Sequence, residues 1–167
     1  MIHLYYGDGK GKTTAALGLA MRCAGSGKKV LMFQFLKGKS SSECITADKI
    51  MDVINGRSNE KFVFNMTDEE KTEAAVFYTD KLREAEGKAD KYDMIILDEA
   101  ADAAEVGFIS EAELINFIKR YGGKKEIVIT GHNPSKSLIN NSDYVTEMRK
   151  IKHPFDNGAA ARKGIEY

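Results

Sequence analysis

The sequence has few of the residues that would suggest an extracellular, membrane-bound or nucleic-acid-binding protein. Its 167 residues include two cysteines and no tryptophan, too few thiols for a disulfide framework or a zinc-type cysteine cluster. Lysine plus arginine equals aspartate plus glutamate at 25 each, so no overall field attracts nucleic acid or anionic lipid, and any anion site must be local. There is no signal-peptide pattern and no apolar run long enough to span a bilayer. We therefore expect a cytoplasmic protein with neither nucleic acid nor a membrane as a partner.

The length of the chain fits a single domain covering residues 1–167. A chain of this size can bury roughly 70% of the surface that its unfolded form exposes, so it needs no metal or disulfide to hold its fold. The two cysteines, Cys23 and Cys44, have no C-x-x-C spacing. Because Cys23 falls on the apolar face of a predicted helix, we expect a buried thiol rather than a reactive one.

The clearest motif is a glycine-rich segment between a predicted strand, Ile2 to Tyr6, and a predicted helix from about Lys12 to Ala24. Its eight residues are Gly7, Asp8, Gly9, Lys10, Gly11, Lys12, Thr13 and Thr14. Glycines let backbone N–H groups come close to phosphate oxygens, and the helix N-terminus adds positive partial charge. Lys12 contributes a full charge, and the hydroxyl of Thr13 can reach Mg²⁺. Tyr6 stands where the first glycine of an ordinary Walker A motif belongs, so the loop is one residue short.

Strand and helix patterns alternate along the rest of the chain. Continuous apolar runs predict buried strands at residues 30–36, 92–99 and 126–131, and a last strand is predicted at 144–148. These strands are too apolar for a half-exposed sheet, and they predict a mostly parallel sheet between helices, the three-layer P-loop NTPase-like (RecA-like) α/β fold. Right-handed crossovers place the loops after the strands at one edge. The phosphate loop, Asp98-Glu99 and the turn at 131–133 should meet there.

Shorter patterns fill the connections between these elements. Residues 50–56 suggest a short helix ending at a glycine, and residues 62–64 suggest a short strand. Capping boxes at 67–70 and 110–113 predict the starts of two helices. Asn133 followed by Pro134 predicts the N-cap and first turn of a short helix.

The run of four apolar residues before Asp98 and Glu99 resembles a Walker B strand. A carboxylate at the end of such a strand can hold the Mg²⁺ that bridges phosphate oxygens, directly or through water. If the strand continued, the two acids would point to opposite faces, and one alone would touch the metal. The two motifs leave open an NTP hydrolase or kinase and a transferase that uses triphosphate as its leaving group.

Beyond these motifs, the chain resembles the P-loop-type ATP:corrinoid adenosyltransferases. The resemblance lies in three blocks: residues 7–38 with the shortened loop, Arg22 and Gln34-Phe35-Leu36-Lys37-Gly38; residues 97–99; and residues 130–167. It implies that a cobalt(I) corrinoid, cobalamin or a precursor, attacks C5′ of the ribose of ATP, forms a carbon–cobalt bond and expels triphosphate, in adenosylcobalamin biosynthesis or salvage. It also implies a homodimer and a reductase that supplies electrons.

The resemblance assigns roles to particular residues. The loop from Gly7 to Thr14 and Arg22 would bind ATP. Lys12, Thr13 and Glu99 would stabilise the departing triphosphate, with Mg²⁺ held by Thr13, Asp98 and Glu99. Asp8 is compatible with a triphosphate if it points outward or binds Lys10. No general base is required, because the nucleophile carries no proton, and the sequence shows no obvious pair of a histidine and an acid.

Relatives place an aromatic pair beneath the corrinoid to exclude its lower ligand, which makes cobalt easier to reduce. Phe62 and Phe64 occupy the matching place, although this chain has Phe64 where relatives have tryptophan. Both phenylalanines could equally be ordinary strand core. His132, at the edge of the predicted site, could contact phosphate or corrinoid, or simply be an exposed loop residue.

Two other functions remain compatible with the motifs. One is a small P-loop ATPase or nucleotide-dependent regulatory switch, in which the aromatic pair belongs to the core and the carboxyl-terminal tail binds a protein. The other is a nucleoside kinase of related fold, which the lack of a zinc-type cysteine cluster makes less favourable.

Overall fold

A computed structural model describes residues 1–37, 46–57 and 63–165 of the chain. Its centre is a six-stranded sheet in which each neighbouring pair of strands is parallel, with the order β3-β2-β4-β5-β1-β6. The strands are β1 Ile2–Tyr6, β2 Val30–Gln34, β3 Asp52–Ile54, β4 Met94–Asp98, β5 Glu126–Gly131 and β6 Tyr144–Glu147. The expectation of a mostly parallel sheet is therefore confirmed.

The connections carry the helices. These are α1 Lys12–Gly25, α2 Asp68–Lys88, α3 Ala100–Glu105, α4 Glu111–Tyr121 and α5 Lys136–Asn140, with 3₁₀ turns at Val63–Asn65, Ala89–Lys91 and Pro154–Asn157. Among the residues that the structure describes, we find no helix with the length and apolarity that a membrane crossing requires.

The sheet separates two apolar clusters, because successive residues of a strand point to opposite faces. On one face, the small residues of α1 pack against side chains such as Met32 and Ile96. On the other, Phe33, Ile95 and Leu97 pack against α2 and α4. Burial of each Leu, Ile or Phe side chain contributes about 1.5–3 kcal/mol to the free energy of unfolding. The central strands β2, β4 and β5 are buried almost throughout, so they hold the sheet edge that carries the site in place. The three-layer fold is confirmed.

The prediction for Cys23 is also confirmed. Its side chain is buried in the cluster beneath α1. Desolvation raises the pKa of its thiol, which lowers the fraction present as the reactive thiolate. Cys44 lies outside the described residues.

The prediction of a helix over residues 50–56 is wrong. Asp52–Ile54 form strand β3, whose residues pair in parallel with Leu31 to Phe33 of β2. Met51 is buried, and the apolar positions 50, 51 and 54 reproduce a helical spacing by chance. The β-branched Val53 and Ile54 instead supply the edge of the sheet.

The predicted short strand at residues 62–64 is also wrong where it can be assessed. Val63–Asn65 form a 3₁₀ turn just before α2, and Phe62 lies outside the described residues. This turn pairs with no strand of the sheet, so the apolar residues there were not evidence of a strand.

The predicted helix starts had mixed outcomes. Thr67 and Glu70 form the expected reciprocal capping box at α2. Ser110 is the N-cap of α4, but its side chain makes no capping hydrogen bond, so the second box is not formed. Asn133 is not an N-cap, and its side-chain amide donates to Glu105 instead. Helix α5 begins after Ser135, which is the N-cap and whose hydroxyl accepts from the Leu138 N–H.

Candidate active site

The carboxyl ends of β1, β4 and β5 lie side by side and bring the three predicted loops together. The N–H of Gly7 donates to the carbonyl of His132 at 3.1 Å. The hydroxyl of Thr13, in the first turn of α1, donates to Asp98 Oδ1 at 2.9 Å. The expectation that the phosphate loop, the acidic strand end and the turn after β5 share one edge is therefore confirmed.

The phosphate loop rests on the backbone that follows β6. The N–H of Gly9 donates to the Met148 carbonyl at 2.7 Å, and a Cβ at Gly7 or Gly9 would lie 2.5 or 2.6 Å from that oxygen. Gly7 also has a φ of +112°, which side chains other than glycine rarely adopt. Both glycines are therefore required by the packing of the loop against the last strand, in addition to any approach of a phosphate.

The end of the loop is arranged as an anion site. Gly11 is the N-cap of α1 with a φ of 117°, and it supplies no side-chain acceptor for the first N–H groups of the helix. Phosphate oxygens can take that role. The Lys12 ammonium folds back over the loop and donates to the carbonyls of Gly7 at 2.6 Å and Gly9 at 3.0 Å. Partial burial lowers the pKa of Lys12. A partly desolvated ammonium attracts a bound anion more strongly than an ammonium in water does.

Asp8 points away from the interior of the loop. Its carboxylate accepts from the Lys150 N–H at 2.9 Å, and this backbone hydrogen bond lowers the pKa of the exposed Asp8 side chain. The outward orientation is one of the two arrangements expected for a carboxylate beside a triphosphate. Asp8 therefore ties the loop to the carboxyl-terminal segment.

Asp98 lies at the buried end of β4, with no exposed surface. Its Oδ1 accepts from the hydroxyls of Thr13 at 2.9 Å and Thr130 at 2.7 Å, and its Oδ2 accepts from Lys37 Nζ at 3.0 Å. A buried carboxylate is tolerated when donors surround it. These donors fix the carboxylate against the first turn of α1.

The strand ends before Glu99, which has a left-handed backbone with a φ of 60° and serves as the N-cap of α3. Asp98 and Glu99 therefore do not splay to opposite faces, because the strand does not continue; both contact the Lys37 ammonium. Desolvation raises the pKa of Glu99 to about 7, against the opposing effect of Lys37.

Three oxygens surround the Lys37 ammonium: Thr13 Oγ1 at 2.9 Å, Asp98 Oδ2 at 3.0 Å and Glu99 Oε1 at 3.3 Å. Carboxylate and hydroxyl oxygens are the kind of ligands that Mg²⁺ prefers, so these residues fit the metal. Within the described ranges, no set of three or more His, Cys, Asp or Glu residues is placed to hold a metal. A magnesium ion here would need phosphate oxygens and water to complete its shell.

A histidine–carboxylate pair lies beside the loop, contrary to the expectation that there was none. The Asp102 carboxylate accepts from the His132 N–H at 2.7 Å and lies 3.0 Å from His132 Nδ1. The imidazole is about half exposed, at 54%. The hydrogen bond that the imidazole donates to Asp102 raises the pKa of His132 above its usual value. His132 is thus neither a simple exposed loop residue nor free to rotate.

The imidazole of His132 is expected to titrate above the ordinary value of 6.5. The imidazolium–Asp102 interaction is fully present below pH 6.5, and its contribution to stability is lost as the pH rises through the raised pKa. Nitrogen-detected NMR of the imidazole measures this directly. Asp102→Asn should lower the pKa of His132; a wild-type value at or below 6.5 contradicts the prediction.

Comparison with known proteins identifies the family. The family model described as ATP:corrinoid adenosyltransferase BtuR/CobO/CobP matches residues 1–167. The chain belongs to this family. The corrinoid adenosyltransferase CobA of Salmonella typhimurium is 31% identical over 100% of this chain and 85% of its own length. A corrinoid adenosyltransferase of a Sinorhizobium species is 32% identical over 96% of the chain and 77% of its own length.

Solved structures support the fold of this adenosyltransferase. The flagellar accessory protein FlaH of Methanocaldococcus jannaschii matches 87% of the chain and 69% of its own with a TM-score of 0.51. ATPases 2 and 3 of EssC from Geobacillus thermodenitrificans match 98% of the chain and 34% of their own with a TM-score of 0.52. Both are 15% identical to it, so they show a shared fold and nothing about substrate.

Not every predicted site residue of the adenosyltransferase lies at this edge. Arg22 is an exposed residue in the last turn of α1. Arg22 lies ten positions after Lys12 along the helix, which corresponds to a rise of about 15 Å. The structure therefore does not bring Arg22 to the phosphate loop of its own chain. Phe64 is 82% exposed in the turn before α2, which excludes it from the core, and Phe62 lies outside the described residues.

Sequence reasoning missed four residues that the structure brings to the site. Lys37 lies between the two carboxylates, and the carbonyl of Met148 supports the loop. Thr130 orients Asp98. Asp102 orients His132. Lys37 could have been found, because it stands in the segment 34–38 that carries the resemblance and follows a strand end. The polar residue at the end of β5 was a similar signal for Thr130.

Proposed function

We propose that this adenosyltransferase transfers the 5′-deoxyadenosyl group of ATP to a cobalt(I) corrinoid, cobalamin or a precursor, and releases triphosphate as one piece. The observation that carries the proposal is a phosphate loop with Lys12 folded into it and a buried acid cluster behind it, in a chain that matches the family throughout. We also propose that residues 1–167 form one catalytic domain.

In this reaction the electron pair of cobalt forms the bond to C5′, and the electron pair of the C5′–O bond leaves with the triphosphate. Negative charge therefore grows on the oxygen of the α-phosphate. Lys12 and the N–H groups at the start of α1 are arranged to stabilise that charge, and donors already in place require no reorganisation. No side chain has to remove a proton from the nucleophile.

Thr13, Asp98 and Glu99 are the residues that would hold Mg²⁺, which when bound would offset the charge of the phosphate oxygens. Thr13 begins the helix that receives the phosphates, and Asp98 is fixed by Thr13 and Thr130. The oxygen set thus belongs to the same rigid edge as the loop. Mg·ATP would be held as one unit by β1, α1 and β4.

The cleft for the corrinoid is proposed to involve Phe64 together with Phe62. Phe64 is 82% exposed, and an exposed aromatic ring can pack against the lower face of a flat, apolar ring system. Electrons are proposed to come from a reductase. We propose a homodimer working in the cytoplasm.

Phe64→Ala is expected to reduce adenosylation that starts from a Co(II) corrinoid by about tenfold or more, a loss of about 1.4 kcal/mol, while the reaction with chemically prepared Co(I) persists. The reason is that the ring would exclude the lower ligand, which matters for reduction alone. Val76→Ala, at a 60% exposed apolar position on α2, is the matched control. An equal loss from both starting materials would refute the role of Phe64.

The proposal is tested by incubating the protein with ATP, Mg²⁺ and a strongly reduced corrinoid. The expected products are a light-sensitive organocobalt compound and tripolyphosphate, in equal amounts. Release of ADP and orthophosphate, or ATP turnover at a substantial rate without corrinoid, would contradict adenosyl transfer and favour a small ATPase instead.

A further inference from the structure

Lys37 connects every polar group of the predicted metal site. Its ammonium lies 2.9 Å from Thr13 Oγ1, 3.0 Å from Asp98 Oδ2 and 3.3 Å from Glu99 Oε1. Its side chain is 23% exposed, and Asp98 is fully buried. The positive charge thus sits where two carboxylates converge, and it offsets the repulsion that would otherwise arise between them.

The backbone around Lys37 is held in an unusual shape. Leu36, the preceding residue, has a φ of 54°, which is uncommon for a residue other than glycine. Its N–H donates to the hydroxyl of the buried Tyr78 at 3.1 Å. A Cβ at Gly56 would lie only 2.4 Å from the Lys37 carbonyl, so a glycine there lets a second segment pack directly on this turn.

Within the part of the chain that the structure describes, Leu36 and Glu99 are the residues other than glycine with a positive φ. They follow the paired ends of neighbouring strands, where Gln34 of β2 lies opposite Asp98 of β4. Backbone strain of this kind concentrates at functional sites, where surrounding contacts enforce it. Here the two strained positions lie at the meeting point of one ion pair, since Leu36 immediately precedes Lys37, whose ammonium meets the Glu99 carboxylate.

We propose that Lys37 is an internal counterion that competes with a divalent cation for these three oxygens and, once displaced, pairs with the triphosphate of ATP. Mg²⁺ binds its oxygen ligands at about 2.0–2.1 Å, so the metal and the ammonium cannot occupy the same place among these oxygens. Metal alone must expel Lys37 into solvent, whereas metal arriving with a triphosphate offers the displaced ammonium a new anionic partner beside the loop.

This inference deepens the proposed function and rests on it for the role of ATP, but competition between Lys37 and the metal is measured without nucleotide or corrinoid. Lys37 is the positioning residue that ties metal binding to nucleotide binding. It keeps the site closed to free divalent ions while the loop is empty, and so the metal enters together with its nucleotide.

The test is Mn²⁺ binding to the nucleotide-free protein, with free Mn²⁺ counted by electron paramagnetic resonance. Lys37→Met keeps the length of the side chain but removes its charge, and its affinity for Mn²⁺ should rise about tenfold or more, because a competing unit charge at hydrogen-bond distance is lost. Lys37→Arg should bind Mn²⁺ as the wild type does. Lys28→Met removes the same charge at an exposed position beyond the far end of α1 and should have no effect.

A Lys37→Met affinity within twofold of the wild type, or weaker, overturns the inference. If the variant is too unstable for titration, its melting temperature is decisive: Mn²⁺ should raise it by more than it raises that of the wild type, and an equal or smaller rise overturns the proposal. If the wild-type protein forms the organocobalt product but Lys37→Met does not change the affinity for Mn²⁺, this inference alone is refuted. A clear Mn²⁺ effect without adenosyl transfer refutes the proposed function and leaves the competition established.

Discussion

Gly9→Ala is expected to abolish measurable ATP binding and, with it, adenosyl transfer. The added Cβ would lie 2.6 Å from the Met148 carbonyl oxygen, 2.8 Å from the Met148 carbonyl carbon and 2.9 Å from that of Arg149. All three are backbone atoms, and the preceding strand β6 is fixed by pairing with β1. The loop must therefore move, and a displacement of about 1 Å in a positioning element costs about 100-fold in rate. Calorimetric titration with Mg·ATP measures the loss.

Gly18→Ala is the matched control for this substitution. Gly18 lies inside α1, and an added Cβ there would meet nothing within 4 Å. Alanine in a helix interior is more stable than glycine by about 0.5–1 kcal/mol, so the control should melt slightly higher and bind ATP normally. If Gly9→Ala binds ATP as tightly as Gly18→Ala does, the loop does not depend on its contact with the last strand.

Lys12→Ala is expected to lower kcat/KM by about 100- to 1,000-fold, the usual effect of removing one donor that stabilises a developing anion. The Lys12 ammonium already spans the loop, bound to the carbonyls of Gly7 and Gly9, and triphosphate oxygens would take the place of those carbonyls. Steady-state kinetics with a reduced corrinoid give the ratio. Inhibition by tripolyphosphate should weaken together with catalysis.

Adenosine serves as the control ligand for Lys12→Ala, because it carries no phosphate. Its binding should be unchanged in the variant, which distinguishes loss of an anion contact from a collapsed site. Lys28→Met again controls for the change in net charge. A variant that binds tripolyphosphate as well as the wild type does would show that Lys12 is not the phosphate-binding lysine.

The elements that could be predicted from sequence are those whose local pattern agrees with their packing. The run at residues 30–36 is apolar on both faces because β2 is covered on both. Helix α1 follows a glycine-rich segment whose pattern is typical of a phosphate loop. These patterns gave the fold and the shared edge. They also predict that Lys12, Thr13 and Asp98 lie at that edge, and the structure places them there.

The remaining features depend on contacts between distant residues. Strand β3 has three residues and exists because it pairs with β2, which its own apolar spacing does not reveal. His132 and Asp102 are 30 positions apart, and Lys37 reaches Asp98 across 61 positions. Neither pairing has a local signature. Strand β4 ends before Glu99 because Glu99 has a left-handed backbone. Glycine is the usual residue in that conformation, so a glutamate at this position gave no sign of it.

The attachment of the phosphate loop to the segment after β6 has a consequence for how the site folds. Asp8 accepts from the Lys150 N–H, 142 positions later, and Gly9 leans on Met148. The phosphate loop therefore reaches its native support only when two regions far apart in the sequence have come together, and closing so long a segment carries an entropic cost that local structure cannot offset. Contacts of this kind lower the rate at which a chain folds.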